Sequence, residues 1–205
     1  MNLMTEGIKK GRKYAQVLEG ARQVFMSDGF EGASVDNISK SAGVSKATLY
    51  SYFPDKKSLF SEVARVECNR QADAALDNID MSASPERVLR AAAGHMINFF
   101  SSDFGQRIFR ICVAESDRFP ELGAAFYASG PTIVKEKFGM YFRQAVAEGK
   151  LTIDDYDLAA CQFAELCKAD IFLRQVFGIQ REFSQKEIDR VIDGAVETFL
   201  ARYAT

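Results

Sequence analysis

Residues 34–53 read SVDNISKSAGVSKATLYSYF. Ser34 is a side-chain cap for a short helix that turns Val35, Ile38 and Ala42 inward. Gly43 breaks that helix inside Ala42-Gly43-Val44, and Ser45 caps a second one running from Lys46 to about Tyr52. Two short helices across a tight glycine turn make a helix-turn-helix. Its buried side is Val35, Ile38, Val44, Leu49 and Phe53, and the outward face of the second helix carries Lys46, Ala47, Thr48, Tyr50, Ser51 and Tyr52. That face holds hydrogen-bonding side chains, one small residue and aromatics, with no carboxylate to repel phosphate. Such a helix fits a major groove roughly 12 Å wide, and its capped N-terminus points backbone N–H groups at a phosphate.

Outward from this motif the chain reads as helical throughout. Upstream, Tyr14, Val17, Leu18, Ala21, Val24 and Phe25 share one helix face, which Asp28-Gly29 ends. Downstream, Pro54 stops the second short helix and Asp55 caps a long helix to about Ile79. Ser84-Pro85 opens a helix to about Ser101, and another runs from about Gly105 to Asp117. A helical stretch from Pro120 is broken by Gly130-Pro131 and resumes to about Glu148. One helix is expected from Asp154 or Asp155 to about Phe177. The capping box Ser184-Gln-Lys-Glu187 starts the last helix, with Ile188, Val191, Ile192, Ala195 and Phe199 on one face. No stretch alternates with period two, so no sheet is expected. The fold class is all-α: an N-terminal three-helix helix-turn-helix domain over 1–54 and a helical ligand-binding and dimerisation domain over 55–205.

Composition narrows the function. The 205 residues are 47% hydrophobic and 26% charged, enough apolar material for a substantial core. The net charge of −2 hides an asymmetry: the first sixty residues sum to +3 and the remainder to −5, a basic front on an acidic body. No apolar run reaches the roughly 18 residues that cross a bilayer, and MNLMTEGIKKGRKYAQ has no apolar stretch after its basic residues. A cytoplasmic protein without membrane attachment is expected. Four cysteines (68, 112, 161 and 167) form no CxxC pair and His95 is the only histidine, which excludes an ordinary Cys/His zinc site; no metal and no cofactor are expected. The chain lacks a nucleophile elbow, a P-loop, an HExxH motif and a dinucleotide glycine fingerprint, so no catalytic residues are assigned.

The run ISKSAGVSKATLYSYFPDKKSLF, with VFMSDGFEGASVDNIS before it, resembles the DNA-binding signature of TetR-family transcriptional regulators over about residues 12–65. Tyr52 stands where a histidine is often found in that family. The stretch RIFRICVAESDRFPELGAAFYASGP at 107–131 is similar to the regulatory domain of the AefR-like branch. The resemblance implies a homodimeric regulator, usually a repressor. It would bind a near-palindromic double-stranded DNA operator and be released by a small, largely apolar effector. It implies a dimer seam built from about 155–177 and 184–202 of each subunit, with the fourth helix as lever. It places Ser34, Ser45, Lys46, Tyr50, Tyr52 and Lys56 at the DNA backbone, assisted by Lys57, and Ala47, Thr48 and Ser51 at base edges. Lys9, Lys10, Arg12 and Lys13 are candidates for a flanking phosphate. In the body, His95, Phe99, Phe109, Cys112, Phe126, Tyr127, Phe142 and Phe163 are candidate effector-lining residues, with core packing as the alternative for each. Arg110 and Glu115 form either a polar ligand anchor or an internal salt bridge. Two other classes compete with the regulator: an all-helical enzyme, and a protein–protein module that presents the basic front to an acidic partner.

Overall fold

The computed structural model describes residues 11–205. Its helices are α1 (Arg12–Gly32), α2 (Val35–Ala42), α3 (Lys46–Tyr52), α4 (Lys56–Asp77), α5 (Pro85–Ser101), α6 (Asp103–Glu115), α7 (Pro120–Ser129), α8 (Pro131–Ala147), α9 (Tyr156–Leu166), α10 (Ile171–Val176) and α11 (Gln185–Tyr203). Among the described residues there is no strand, only an isolated antiparallel bridge between Leu151 and Ala204. The all-α expectation therefore stands. None of these helices is long and apolar enough to cross a membrane.

The chain forms two compact units, one up to Glu67 together with Ile111–Phe126, the other Cys68–Arg110 with Tyr127–Thr205. In the first, α1 buries Val17, Ala21, Val24 and Phe25, the face read from the sequence. Ile38 and Leu49, wholly buried, bring α2 and α3 onto it. Phe60 of α4 stands edge-on to both Phe25 (5.1 Å) and Phe30 (5.4 Å). Gly29 takes the left-handed φ of 72°, as the Asp28-Gly29 stop requires, and the chain then turns helically as far as Gly32.

Gly20 sets how closely α1 and α2 approach. A Cβ there would lie 2.5 Å from the Ala42 backbone nitrogen and 2.6 Å from its Cα, inside any tolerable contact.

The second unit is built around Phe142, Phe163 and Phe199, all buried. Phe199 stacks on Phe142 at 5.3 Å and takes Phe163 edge-on at 5.2 Å, which joins α8, α9 and α11. The capping box at Ser184 and Glu187 is present in full.

One helix expectation is corrected. The stretch 154–177 is two helices, because α9 stops at Leu166 and the chain turns through Asp170, a non-glycine residue at φ 64°. With ψ −46° it is the centre of a tight turn in which the Ile171 N–H donates to the Ala169 carbonyl at 2.7 Å. Its carboxylate is held by Arg190 and by Arg174 at 3.4 Å.

Gly20→Ala should destabilise the first unit by about 1–3 kcal/mol, since the new methyl meets backbone rather than a movable side chain. Ser184→Ala should cost about 1 kcal/mol through loss of the cap. Urea unfolding of the two variants against the parent measures both.

Candidate nucleic-acid interface

The turn between α2 and α3 is made by backbone geometry. Gly43 sits at φ 63°, its N–H donating to the Lys40 carbonyl, while the Val44 N–H donates to Ser39 at 3.0 Å. This closes α2 and aims α3 afresh. Ser34 and Ser45 are caps as expected: their hydroxyl oxygens accept from the N–H groups of Asn37 and Thr48, both at 3.1 Å. With Leu49 turned fully inward, Lys46, Ala47 and Ser51 are exposed, as is Tyr50 at 51%, while Thr48 and Tyr52 are half-buried. The Thr48 hydroxyl lies 2.9 Å from that of Ser45, and the Ser51 hydroxyl donates to the Thr48 carbonyl at 2.7 Å. Hydroxyls rotate and keep a free lone pair, so these bonds leave both able to meet another donor.

Four expected contact residues have partners that the sequence did not disclose. Lys46 is ion-paired with Asp36, a first-turn residue of α2. The outward face of α3 is thus free of acidic groups on its own helix, but a neighbouring helix supplies one. The pair is solvent-exposed and easily exchanged for a phosphate.

Tyr52 is half-buried, its ring edge-on to Tyr14 at 5.6 Å. Tyr14 in turn donates its hydroxyl to Glu62 of α4, whose carboxylate also receives Arg65. Burial, with Glu62 as acceptor, raises the Tyr14 pKa above the ordinary phenol value, so the phenol stays protonated and keeps donating. The end of α3 is tied to α1 and α4 through this chain.

Lys56 was expected at the DNA backbone; its ammonium instead donates to the carbonyls of Phe30 (2.7 Å), Ala33 (3.0 Å) and Glu31 (3.4 Å), and lies 4.6 Å from the Phe30 ring centroid. It serves the unsatisfied carbonyls where α1 ends, a favourable place for a cation. Lys57 pairs with Glu121. Of the basic tail, Arg12 and Lys13 are exposed, whereas Lys9 and Lys10 lie outside the described residues.

The first unit also contains a segment that sequence reasoning assigned wholly to the body. Phe119 stands edge-on to Phe30 at 5.6 Å, and Arg118 pairs with Glu31 at 2.6 Å. No local signal marks these partners, which are 87 residues apart in the case of Arg118 and Glu31.

The candidate effector residues fall in both units. Phe142 and Phe163 are wholly buried in the α8–α9–α11 core and are packing residues, because their rings are enclosed by Phe138, Phe199 and one another's helices. Tyr127 is 53% exposed, with the Lys135 ammonium over its ring. Cys112 and Phe126 belong to the first unit, and Cys112 is buried there. His95, Phe99 and Phe109 are half-buried in the second, where Phe109 meets Phe172 at 4.9 Å. Arg110 makes no pair with Glu115; its guanidinium donates to the Gln175 carbonyl at 2.6 Å. All four cysteines are free, and burial pushes the Cys167 thiol up to about 12. Among the described residues no group of His, Cys, Asp and Glu could hold a metal ion.

Comparison with known proteins agrees with this geometry. The family described as bacterial regulatory proteins, tetR family, matches residues 17–63. The AefR-like transcriptional repressor C-terminal domain matches residues 87–205. A crystal structure of a putative TetR-family transcriptional regulator from Mesorhizobium loti superposes with a TM-score of 0.85 at 27% identity, over 97% of this chain and 100% of that one. The flavonoid-responsive regulator FrrA is 34% identical over 95% of this chain and 98% of its own, with a TM-score of 0.77. The transcriptional repressor AcnR of Corynebacterium diphtheriae is 37% identical over 78 residues, which is 35% of this chain and 41% of that protein. The chain thus spans about two fifths of the length of that curated relative. With one family model on the helix-turn-helix and another on more than half of the chain, this protein belongs to the TetR family of bacterial transcriptional regulators.

Proposed function

We propose that this chain is a cytoplasmic, homodimeric repressor that holds a near-palindromic operator through α3 and is released by a small, largely apolar effector. The observation that carries the DNA reading is the pairing of a capped, outward-facing α3 with a buried Leu49 beneath it. Ser34, Ser45, Lys46 and Tyr50 take phosphates, with Tyr52 beside them on the ring of Tyr14. Ala47, Thr48 and Ser51 approach base edges. Lys56 acts from behind, by ordering the end of α1. Two copies put their α3 helices in successive major grooves, about 34–36 Å apart.

Support for the dimer comes from apolar side chains in open solvent: Leu158 (51%), Leu173 (61%), Phe177 (74%) and Ile179 (73%), on α9, α10 and the turn after it. The outer side of α11 carries the small exposed residues Gly194 and Ala201, which permit close helix approach. Large apolar side chains left this exposed on a single chain favour a partner that covers them. Effector response is supported by FrrA, a flavonoid-responsive protein by name. The route we assign runs through residues 111–126, since Phe119, Arg118 and Glu121 grip Phe30, Glu31 and Lys57 of the DNA-binding unit. An effector that binds the released state a hundredfold better contributes about 2.7 kcal/mol, enough to empty an operator.

The test is selection of operators from a random DNA pool, followed by anisotropy titrations. Lys46→Ala should weaken binding to every sequence and reduce the salt slope by about one, whereas Thr48→Ala should change which sequences win. If neither variant differs from the parent, α3 does not read DNA. Asp36→Asn removes the carboxylate that competes for Lys46, so affinity should rise about threefold or more at low salt. Leu158→Asp with Phe177→Asp should yield a monomer by light scattering and lose cooperative operator binding; a dimer of unchanged mass removes the proposed seam. Phe119→Ala should leave operator affinity within about threefold of the parent yet blunt release by an effector found by screening, and undiminished release would rule out the 111–126 route.

A further inference from the structure

The second unit holds two buried amide oxygens, Gln106 Oε1 and Gln175 Oε1, without a hydrogen-bond partner among the described residues. Gln106 is 9% exposed and Gln175 6%. Neither amide is free to turn over. The Gln106 Nε2 donates to the Phe100 carbonyl at 2.7 Å and the Gln175 Nε2 to the Arg181 carbonyl at 3.0 Å. Flipping either would set oxygen against oxygen. Both oxygens are therefore fixed acceptors, and buried acceptors in native proteins are almost always served by a donor.

The two glutamines flank one aromatic seam. Gln106 lies three residues before Phe109 on α6, and Gln175 three residues after Phe172 on α10. Residues at this spacing share a helix face, and the Phe109 and Phe172 rings meet edge-to-face at 4.9 Å. Arg110 stitches the same seam by donating to the Gln175 carbonyl, and Phe100 closes it from α5, edge-on to Phe172 at 6.0 Å. The Lys168 ammonium stands over the Phe100 and Phe172 rings, and Glu165 is its ion partner.

Resting on the effector-responsive reading above, we propose that this α6–α10 seam is the effector-recognition site, and that Gln106 and Gln175 select a neutral aromatic molecule bearing hydroxyl groups. The aromatic edges and faces accept a flat ring system. The two amide oxygens demand donors and repel any carboxylate or phosphate, so fatty acids and other apolar anions are rejected. An ether or ketone of the same shape would leave both acceptors unserved, a larger loss than never having buried them.

The test uses the full chain with three probes of one shape: β-naphthol, its methyl ether, and β-naphthoate. The chain contains no tryptophan, so naphthyl fluorescence reports binding directly. β-Naphthol should bind about tenfold or more tightly than the ether, one hydrogen bond's worth, and the carboxylate weakest of all. Gln106→Met and Gln175→Met keep the side-chain length and remove the acceptor. A single hydroxyl serves one oxygen, so the variant that removes the oxygen it meets should move the naphthol-to-ether ratio towards one, and the double variant should reach it with the thermal midpoint held or raised and unliganded operator affinity unchanged. Equal affinity of wild-type protein for alcohol and ether, no binding of any probe, or a preference that survives in the double variant each overturns the assignment. The wild-type comparison decides the matter even if the variants do not fold. None of these results touches operator binding, which fails or stands on the Lys46 and Thr48 titrations.

Discussion

The reading head of this protein depends on a backbone-to-backbone approach that one residue type permits. Gly20 lets α1 touch α2 at Ala42, and any side chain there would meet main-chain atoms that have nowhere to go. With α2 seated, Gly43 turns the chain through a left-handed residue and Leu49 is drawn wholly into the core. The outward face of α3 is the consequence. Lys56 and the Tyr14–Glu62–Arg65 cluster then secure the two ends of this arrangement, one at the carbonyls closing α1, the other behind Tyr52.

This architecture divides the cations by task. Lys46, the one cation on α3, meets an exposed, exchangeable carboxylate, while those beginning α4 are consumed inside the unit. A basic residue in a DNA-binding domain is thus not by itself a DNA contact. What separates Lys46 from Lys56 is the depth of the partner: one exposed carboxylate against three carbonyls and an aromatic face. The same division explains how a regulator can be tuned. Residues 111–126 engage the end of α1 and the start of α4, through Phe119 on Phe30, Arg118 on Glu31 and Glu121 on Lys57, and this is the route we propose.

In the body, aromatic residues do two different jobs. Phe142, Phe163 and Phe199 enclose one another and hold α8, α9 and α11 together. Phe109 and Phe172 instead meet in a seam flanked by unserved amide oxygens. The first group is wholly buried and the second half-buried, and the second has two fixed amide oxygens beside it. An orphaned buried acceptor carries a cost, so two such oxygens, each fixed by its own donating amide nitrogen, direct attention to what visits them.

Sequence by itself determined the local elements and their inward faces. The capping serines, the glycine turn, the apolar face of α1 and the capping box at Ser184 are short-range signals, written within one or two helical turns of the residues they govern. The helix-turn-helix and its exposed face were legible for that reason. Tertiary structure alone decided which charges met. Asp36 beside Lys46, Lys56 turned into the end of α1, and Arg118 on Glu31 join residues on different helices, and no periodicity encodes such meetings. The break between α9 and α10 was equally hidden, because Asp170 takes a positive φ without the glycine or proline that usually announces a turn, and of the two arginines on its carboxylate Arg190 arrives only when α11 has packed.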